Sequence, residues 1–293
     1  MTTATRTPAR FIPYGRQHIT EQDIAAVVDV LKSDWLTQGP GVPAFEQTLK
    51  DTVGAEEAVA CANGTAALHL AMLALGIGPG DVVVTTPITF LATANCARYV
   101  DADVQFVDID PVTGLMDIAA LRQHLKDDRN HRVKAIIPVH FAGQPVDLPA
   151  VRQLADEHGA YVIDDACHAI GAEYECAGKW YRVGCGAHSD LTVFSFHPVK
   201  HVAMGEGGAV TTGDARLAVR LRQFRNHGIE RDARRMVNKD QAFDGSGRPN
   251  PWYYEMHKLG FNYRLTDIQA ALGTSQLNRL EISIRRRREL ALL

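Results

Sequence analysis

The chain has 293 residues, 46% of them hydrophobic and 22% charged, and its 34 acidic and 31 basic side chains give a formal net charge of −3. That composition belongs to a globular protein with a large core in one or two domains, and it excludes a dedicated nucleic-acid binder, which needs a basic surface. No apolar run reaches the length of a membrane span; five cysteines (61, 96, 167, 176 and 185), odd in number and without a C-x-x-C pair, argue against a disulfide framework and for a reducing, cytoplasmic setting.

The first ten residues carry Arg6 and Arg10 among Thr and Ala, lack the apolar stretch of a signal peptide and read as a frayed terminus. Thr20 with Asp23 three residues later is a helix start of the capping-box kind, followed at helical spacing by Ile24, Val27, Val28 and Leu31. Phe45, Leu49 and Val53 mark a second helix, closed by Gly54. A short apolar run over 57–61 breaks at Asn63-Gly64-Thr65 and passes into a helix over 66–75. After a glycine-rich turn come a strand at 82–84, a helix at 90–99, and strands at 104–109, 135–139 and 161–163. Between the last two, Asp147 opens a helix that Gly159 ends. Strands at 191–196 and 209–212 follow. Strands alternating with helices predict an α/β fold with a mainly parallel sheet covered on both faces.

From Arg225 to Tyr254 the chain is polar and broken by Gly245, Gly247, Pro249 and Pro251, which predicts a long excursion from a compact domain. A helical region opens at Thr266 and runs to the end. Within it, Arg285 to Arg288 point about 100° apart in turn, so they describe a solvated helix surface and not one basic face.

Ligands of parallel sheets sit at the carboxyl ends of the strands, and three features fall there. Lys200 lies just past an apolar strand, in a loop that continues to Gly205-Glu206-Gly207-Gly208, with Ser195 five residues upstream. A lysine in such a setting is a candidate Schiff-base nucleophile, because desolvation favours a neutral amine; a plain surface lysine is the alternative. Gly64-Thr65, between a strand and a helix start, offers free N–H groups and a positive dipole end to an anion, or is a simple turn. Asp164-Asp165 ends a strand, and one of the two carboxylates could face a cationic ring nitrogen; an N-cap pair, or a metal site with His168, is the alternative. A strand-end acid, an anion cradle and a strand-end lysine are the parts that a pyridoxal 5′-phosphate (PLP) enzyme requires.

These features belong to a longer ordered series. It comprises Ile12-Pro13-Tyr14-Gly15-Arg16, Ser33 to Pro40, Asn63 to Leu68, Thr89 to Asn95 and Pro138 to Gly143. Asp164 to Ala169, Ser195 to Lys200 and Gly260 to Asp267 complete it. The series resembles the DegT/DnrJ/EryC1/StrS family of sugar aminotransferases from about Phe11 to the last residue. The resemblance implies PLP fold type I, with a large PLP-binding domain over 11–265 and, over 266–293, the helical start of a small domain. Relatives continue through a complete small domain, so this chain reads as truncated. Around Trp252-Tyr253-Tyr254-Glu255 the pattern is most similar to the 4-aminotransferases of pseudaminic acid biosynthesis. The activity so implied moves an amino group from L-glutamate to C4 of a nucleotide-linked 4-keto-6-deoxy sugar, UDP-linked and N-acetylated. A PLP-dependent sugar dehydratase, or a truncated remnant without catalysis, is the alternative; Lys200 disfavours the dehydratases, which carry histidine there.

Residue by residue, the resemblance implies that Lys200 carries the PLP aldehyde and that Asp165 pairs with the ring nitrogen. His168 would sit near the 3-hydroxyl, where many relatives have Gln, and Phe90 would stack on the ring. Gly64, Thr65 and Ser195 would hold the phosphate. Asn262 would reach the phosphate of the neighbouring subunit, which implies a homodimer with shared sites. Tyr14, Asp34, Trp35, Leu36 and Thr37 would line the sugar-nucleotide pocket. On the residues alone, Phe90 and Tyr14 read as core packing.

Overall fold

The structure, a computed structural model, describes residue 13 and residues 15–293. Its strands are β1 (Glu57–Cys61), β2 (Val82–Thr85), β3 (Asp103–Phe106), β4 (Val133–Ile137), β5 (Tyr161–Asp165), β6 (Glu173–Cys176), β7 (Lys179–Arg182), β8 (Leu191–Ser195), β9 (Gly208–Thr212), β10 (Ile229–Glu230) and β11 (Glu255–Met256). Its helices are α1 (Glu21–Leu31), α2 (Gly41–Val53), α3 (Gly64–Leu75), α4 (Leu91–Arg98), α5 (Ile118–Asp127), α6 (Leu148–His158), α7 (Ala215–Arg225), α8 (Lys239–Ala242), α9 (Asp267–Leu277) and α10 (Leu280–Ala291).

Seven strands form one sheet in the order β1-β9-β8-β5-β4-β2-β3. From β8 to β3 every pairing is parallel, and β9 alone is reversed, antiparallel to both β1 and β8. The central strands are buried along nearly their whole length, as strands with helices on both faces must be. One apolar layer gathers Phe45, Leu49 and Val53 of α2 with Leu121, Leu148, Val151 and Leu277; the other gathers Leu68, Leu70 and Met72 of α3 with Cys96, Leu221 and Phe224. The sheet is thus flanked by helices, as PLP fold type I requires.

Local chemistry sets the element ends. Thr20 and Asp23 cap α1 reciprocally, and Asp147 accepts the Ala150 N–H to open α6. Gly54 and Gly159 close α2 and α6 in the left-handed conformation, with φ of 75° and 74°. Helix α3 starts two residues before the sequence suggests, because the Asn63 side chain caps it by accepting the Ala66 N–H at 2.8 Å. Helices α5 and α7 escape a sequence reading because each buries only a narrow stripe, Leu121 with Leu125 and Ala218 with Leu221 and Phe224. The excursion after Arg225 is closed at its neck by the β10–β11 pair. Inside it, Glu255 accepts from the N–H groups of Val237 and Asn238 and from the Tyr253 hydroxyl. Among the described residues no helix is long and apolar enough to cross a membrane.

Helix α1 is held on α9 and α10 by one fully buried carboxylate. Asp23 accepts from Ser275 Oγ at 2.6 Å, from Gln276 Nε2 at 2.9 Å, and from Arg279 Nη2 and the Thr20 N–H at 2.9 Å. Burial works to raise its pKa, but the hydrogen bonds from Ser275 and Thr20 and the charge of Arg279 outweigh it and hold the carboxyl below the ordinary aspartate value. A depressed native pKa gives stability that is present above the unfolded value and is lost as pH falls through the native one. Asp23→Ala should therefore cost about 3 kcal/mol at neutral pH, because it strands a largely buried Arg279. Denaturant unfolding at neutral and at acid pH checks this: the gap between wild type and Asp23→Asn should shrink in acid, and equal gaps would contradict the assignment.

Candidate active site

The carboxyl ends of β1, β2, β4, β5 and β8 emerge on one edge of the sheet, and the segments that follow them build the site. The turn from β1 into α3 lies against β8 and β9. A Cβ at Gly208 would fall 2.3 Å from the Asn63 carbonyl and 2.8 Å from the Gly64 nitrogen, so only glycine lets the turn come this close. A Cβ at Gly64 would meet Ser195 Cβ at 2.9 Å. Gly64 and Ser195 are therefore in contact, with Thr65 next to them at the first turn of a twelve-residue helix. Because Asn63 caps Ala66, the Gly64 and Thr65 N–H groups are left without intrahelical acceptors at the positive end of the helix dipole.

Asp165 ends β5, the central strand of the seven, and is 5% exposed. One carboxylate oxygen accepts from Thr93 Oγ1 at 2.7 Å and the other from the Cys167 N–H at 3.2 Å. Among the described residues it makes no ion pair. Asp164 points away from it and meets His140, whose Nε2 lies 2.7 Å from Asp164 Oδ1. The adjacent carboxylates thus have separate partners. Thr93 is tied to Phe90, since its N–H donates to the Phe90 carbonyl at 3.1 Å. Phe90 caps α4 and is 71% exposed, so its ring is free at the site and is not core packing.

Lys200 closes the turn after β8, with its N–H donated to the His197 carbonyl at 2.8 Å, and is half-buried. Its charge reaches both Cys167 and His168. Burial pushes the His168 pKa down, Lys200 pushes it further, and Asp165 opposes both. Lys200, Asp165, Cys167 and His168 therefore share one electrostatic neighbourhood.

Asp34, Trp35, Leu36 and Thr37 are exposed in the loop before α2. Their backbone is anchored on the start of α9 by Asp267, which is 1% exposed. It accepts the N–H groups of Gly39 at 2.9 Å and Gly41 at 2.6 Å, and its own N–H donates to the Leu36 carbonyl at 3.0 Å. Asn262 is exposed and bridges to Asn226 through the backbone; neither it nor the 34–37 loop hydrogen-bonds to the Lys200 cluster. Tyr14 lies outside the described residues, but Gly15 packs beside Val199, next to Lys200. Sequence reasoning missed Thr93, His140 and Asp267 as site residues. Helical spacing after Phe90 could have pointed to Thr93.

These residues fit PLP. A buried carboxylate without a cation matches a protonated ring nitrogen, a helix start with free N–H groups beside a serine matches a phosphate, and a free aromatic face matches a planar ring. Two clefts elsewhere, one lined by Arg122, His131 and His158 and one by Tyr161, Arg216 and Arg220, share no residue with this set.

A profile of the DegT/DnrJ/EryC1/StrS aminotransferase family matches residues 17–293. The UDP-4-amino-4-deoxy-L-arabinose–oxoglutarate aminotransferase of Shewanella sediminis is 38% identical over 282 residues, covering 96% of this chain and 68% of that protein. The spore coat polysaccharide biosynthesis protein SpsC of Bacillus subtilis is 40% identical, covering 96% of this chain and 67% of that one. The structure of Helicobacter pylori PseC, an aminotransferase involved in the biosynthesis of pseudaminic acid, superposes with a TM-score of 0.82 at 31% identity, over 96% of this chain and 68% of that one. The chain belongs to the DegT/DnrJ/EryC1/StrS aminotransferase family and is a PLP-dependent aminotransferase.

Proposed function

We propose that this chain transfers the amino group of L-glutamate to C4 of a nucleotide-linked 4-keto-6-deoxy sugar, UDP-linked and N-acetylated, in two successive half-reactions at one site. The observation that carries it is the meeting of Lys200, the buried cation-free Asp165 and the Gly64–Ser195 cradle at one sheet edge. Similarity to the Shewanella UDP-sugar aminotransferase and to PseC supports the substrate class.

PLP, when bound, supplies an electron sink that stabilises a deprotonated carbon. Asp165 keeps the ring nitrogen protonated, and Thr93 and the Cys167 N–H hold that carboxylate in place. Gly64, Thr65 and Ser195 would hold the phosphate, Phe90 would stack on the ring, and His168 would sit near the 3-hydroxyl. The Lys200 amine would hold the aldehyde, and as general base and acid it would move the proton at Cα of glutamate and at C4 of the sugar. The 34–37 loop, fixed by Asp267, receives the sugar nucleotide, and Tyr14 is proposed to contact it as well. Asn262 reaches the phosphate of a second subunit, so the active form is a homodimer of isologous type.

Purified protein with PLP should show a bound-cofactor absorbance band that glutamate bleaches, and should then aminate a UDP-linked 4-keto sugar in preference to dTDP or GDP forms. Lys200→Ala should lose both properties. A folded protein without the band, or a 3-deoxy product, refutes the proposal. Asp267→Ala frees the 34–37 loop, so KM for the sugar nucleotide should rise about tenfold, ~1.4 kcal/mol, while the glutamate half-reaction keeps its rate; an unchanged KM separates the loop from the substrate. Asn262→Ala should weaken PLP retention by about 1–3 kcal/mol without unfolding the subunit. Light scattering that gives a monomer with full PLP occupancy contradicts the shared site.

A further inference from the structure

His140 and Asp164 are both fully buried, and no step of the reaction uses either. His140 Nε2 and Asp164 Oδ1 lie 2.7 Å apart in close contact, and neither atom has a hydrogen-bond partner of good geometry among the described residues. The other ring nitrogen, Nδ1, accepts the Val146 N–H at 2.9 Å. A nitrogen that accepts carries no proton, so the ring proton sits on Nε2, the nitrogen in contact with Asp164. The second Asp164 oxygen has Thr192 Oγ1 at 3.4 Å, which in turn meets Ser189 Oγ at 3.0 Å.

The backbone around this pair closes on the neighbouring residue. The His140 N–H donates to the Asp165 carbonyl at 3.2 Å, and the Asp165 N–H donates to the Pro138 carbonyl at 3.0 Å. The end of β5 is thus gripped twice by one segment, through the main chain at Asp165 and through the imidazole at Asp164. Three residues on, Gly143 has φ 88°, and a Cβ there would fall 2.9 Å from the His168 carbonyl. The segment that holds Asp165 therefore also backs His168.

We infer that His140 is a positioning residue for PLP: by setting Nε2 against Asp164 while its main chain pairs with Asp165, it fixes the direction in which the Asp165 carboxylate meets the ring nitrogen. The inference rests on the proposed role of Asp165. A side chain that acts only through another should affect cofactor affinity and the proton held at the ring, and should leave recognition of glutamate alone.

The test uses the full chain with and without PLP. His140→Gln keeps an amide N–H able to reach Asp164, whereas His140→Asn keeps an acceptor for Val146 and loses that donor. The Asn variant should bind PLP at least tenfold more weakly, shift the pH profile of the bound-cofactor absorbance and lower kcat with KM for glutamate unchanged. The Gln variant should recover most of the affinity. In cofactor-free protein, nitrogen NMR should find the His140 proton on Nε2. Wild-type affinity and pH profile in a folded His140→Asn variant, equal losses in both variants, or a proton on Nδ1 overturns the inference. If His140→Asn does not fold, Asp164→Asn decides: it still accepts from Nε2, so PLP affinity should stay within about threefold of wild type, and a tenfold loss overturns the inference. Asp165→Ala is the control for the reading beneath it. A silent His140→Asn beside a sensitive Asp165→Ala sinks the inference alone, and an insensitive Asp165→Ala sinks both.

Discussion

A negative charge buried at the middle of the sheet is the constraint around which the site is organised. Asp165 sits at the end of the central strand, away from water, and an isolated carboxylate there is costly. The protein supplies a hydroxyl from Thr93 and a backbone N–H from Cys167, which hold the group in one direction, and leaves the counter-charge to a ligand. This division suits a cofactor enzyme. A lysine or arginine in the same place would neutralise the charge and compete with the ring nitrogen.

Topology brings the other groups to that point. Because all strands of the large sheet but β9 run the same way, the turns that carry Gly64, Phe90, His140, Asp165 and Ser195 leave on one edge. The reversed strand has its own part. It lies between β1 and β8, and with glycine at 208 it offers no side chain to hold the β1–α3 turn away from Ser195. A helix start and a serine from strands that are not neighbours thus meet closely enough to share one anion.

The sequence was most legible where chemistry is local. Thr20 with Asp23, Asp147 with Gly159, and the apolar runs of β1, β2, β5 and β8 each carry their signal within a few residues. Apolar residues continue past Phe106 and so predict a strand over 104–109, but after the Val107 N–H donates to the Thr85 carbonyl the chain leaves the sheet, and Ile109 pairs with Met116 instead. The supporting side chains were not legible, since their meaning lies in contacts far apart in the chain. Thr93 meets Asp165 across 72 positions, and Asp267 meets Gly39 across 228. Phe90 and Trp35 show the opposite error available to composition. Aromatic residues are expected in cores, yet these are 71% and 55% exposed, where a ring can face a ligand.

Electrostatics also decides which nucleophile acts. Cys167 shares the neighbourhood of Asp165 and Lys200, and a thiolate there could attack an aldehyde as readily as an amine does. Burial, reinforced by the negative charge of Asp165, holds its pKa well above the ordinary thiol value, so it stays protonated and inert. The histidines are restrained in the same sense. Burial lowers His168, and it lowers His201 to about 4, helped there by Arg287, His168 and Lys200. Both rings are therefore neutral at neutral pH, and a neutral imidazole can donate one hydrogen bond without adding a positive charge to the site. The same burial that makes Asp165 costly thus keeps the Cys167 thiol and the His168 and His201 rings uncharged beside it.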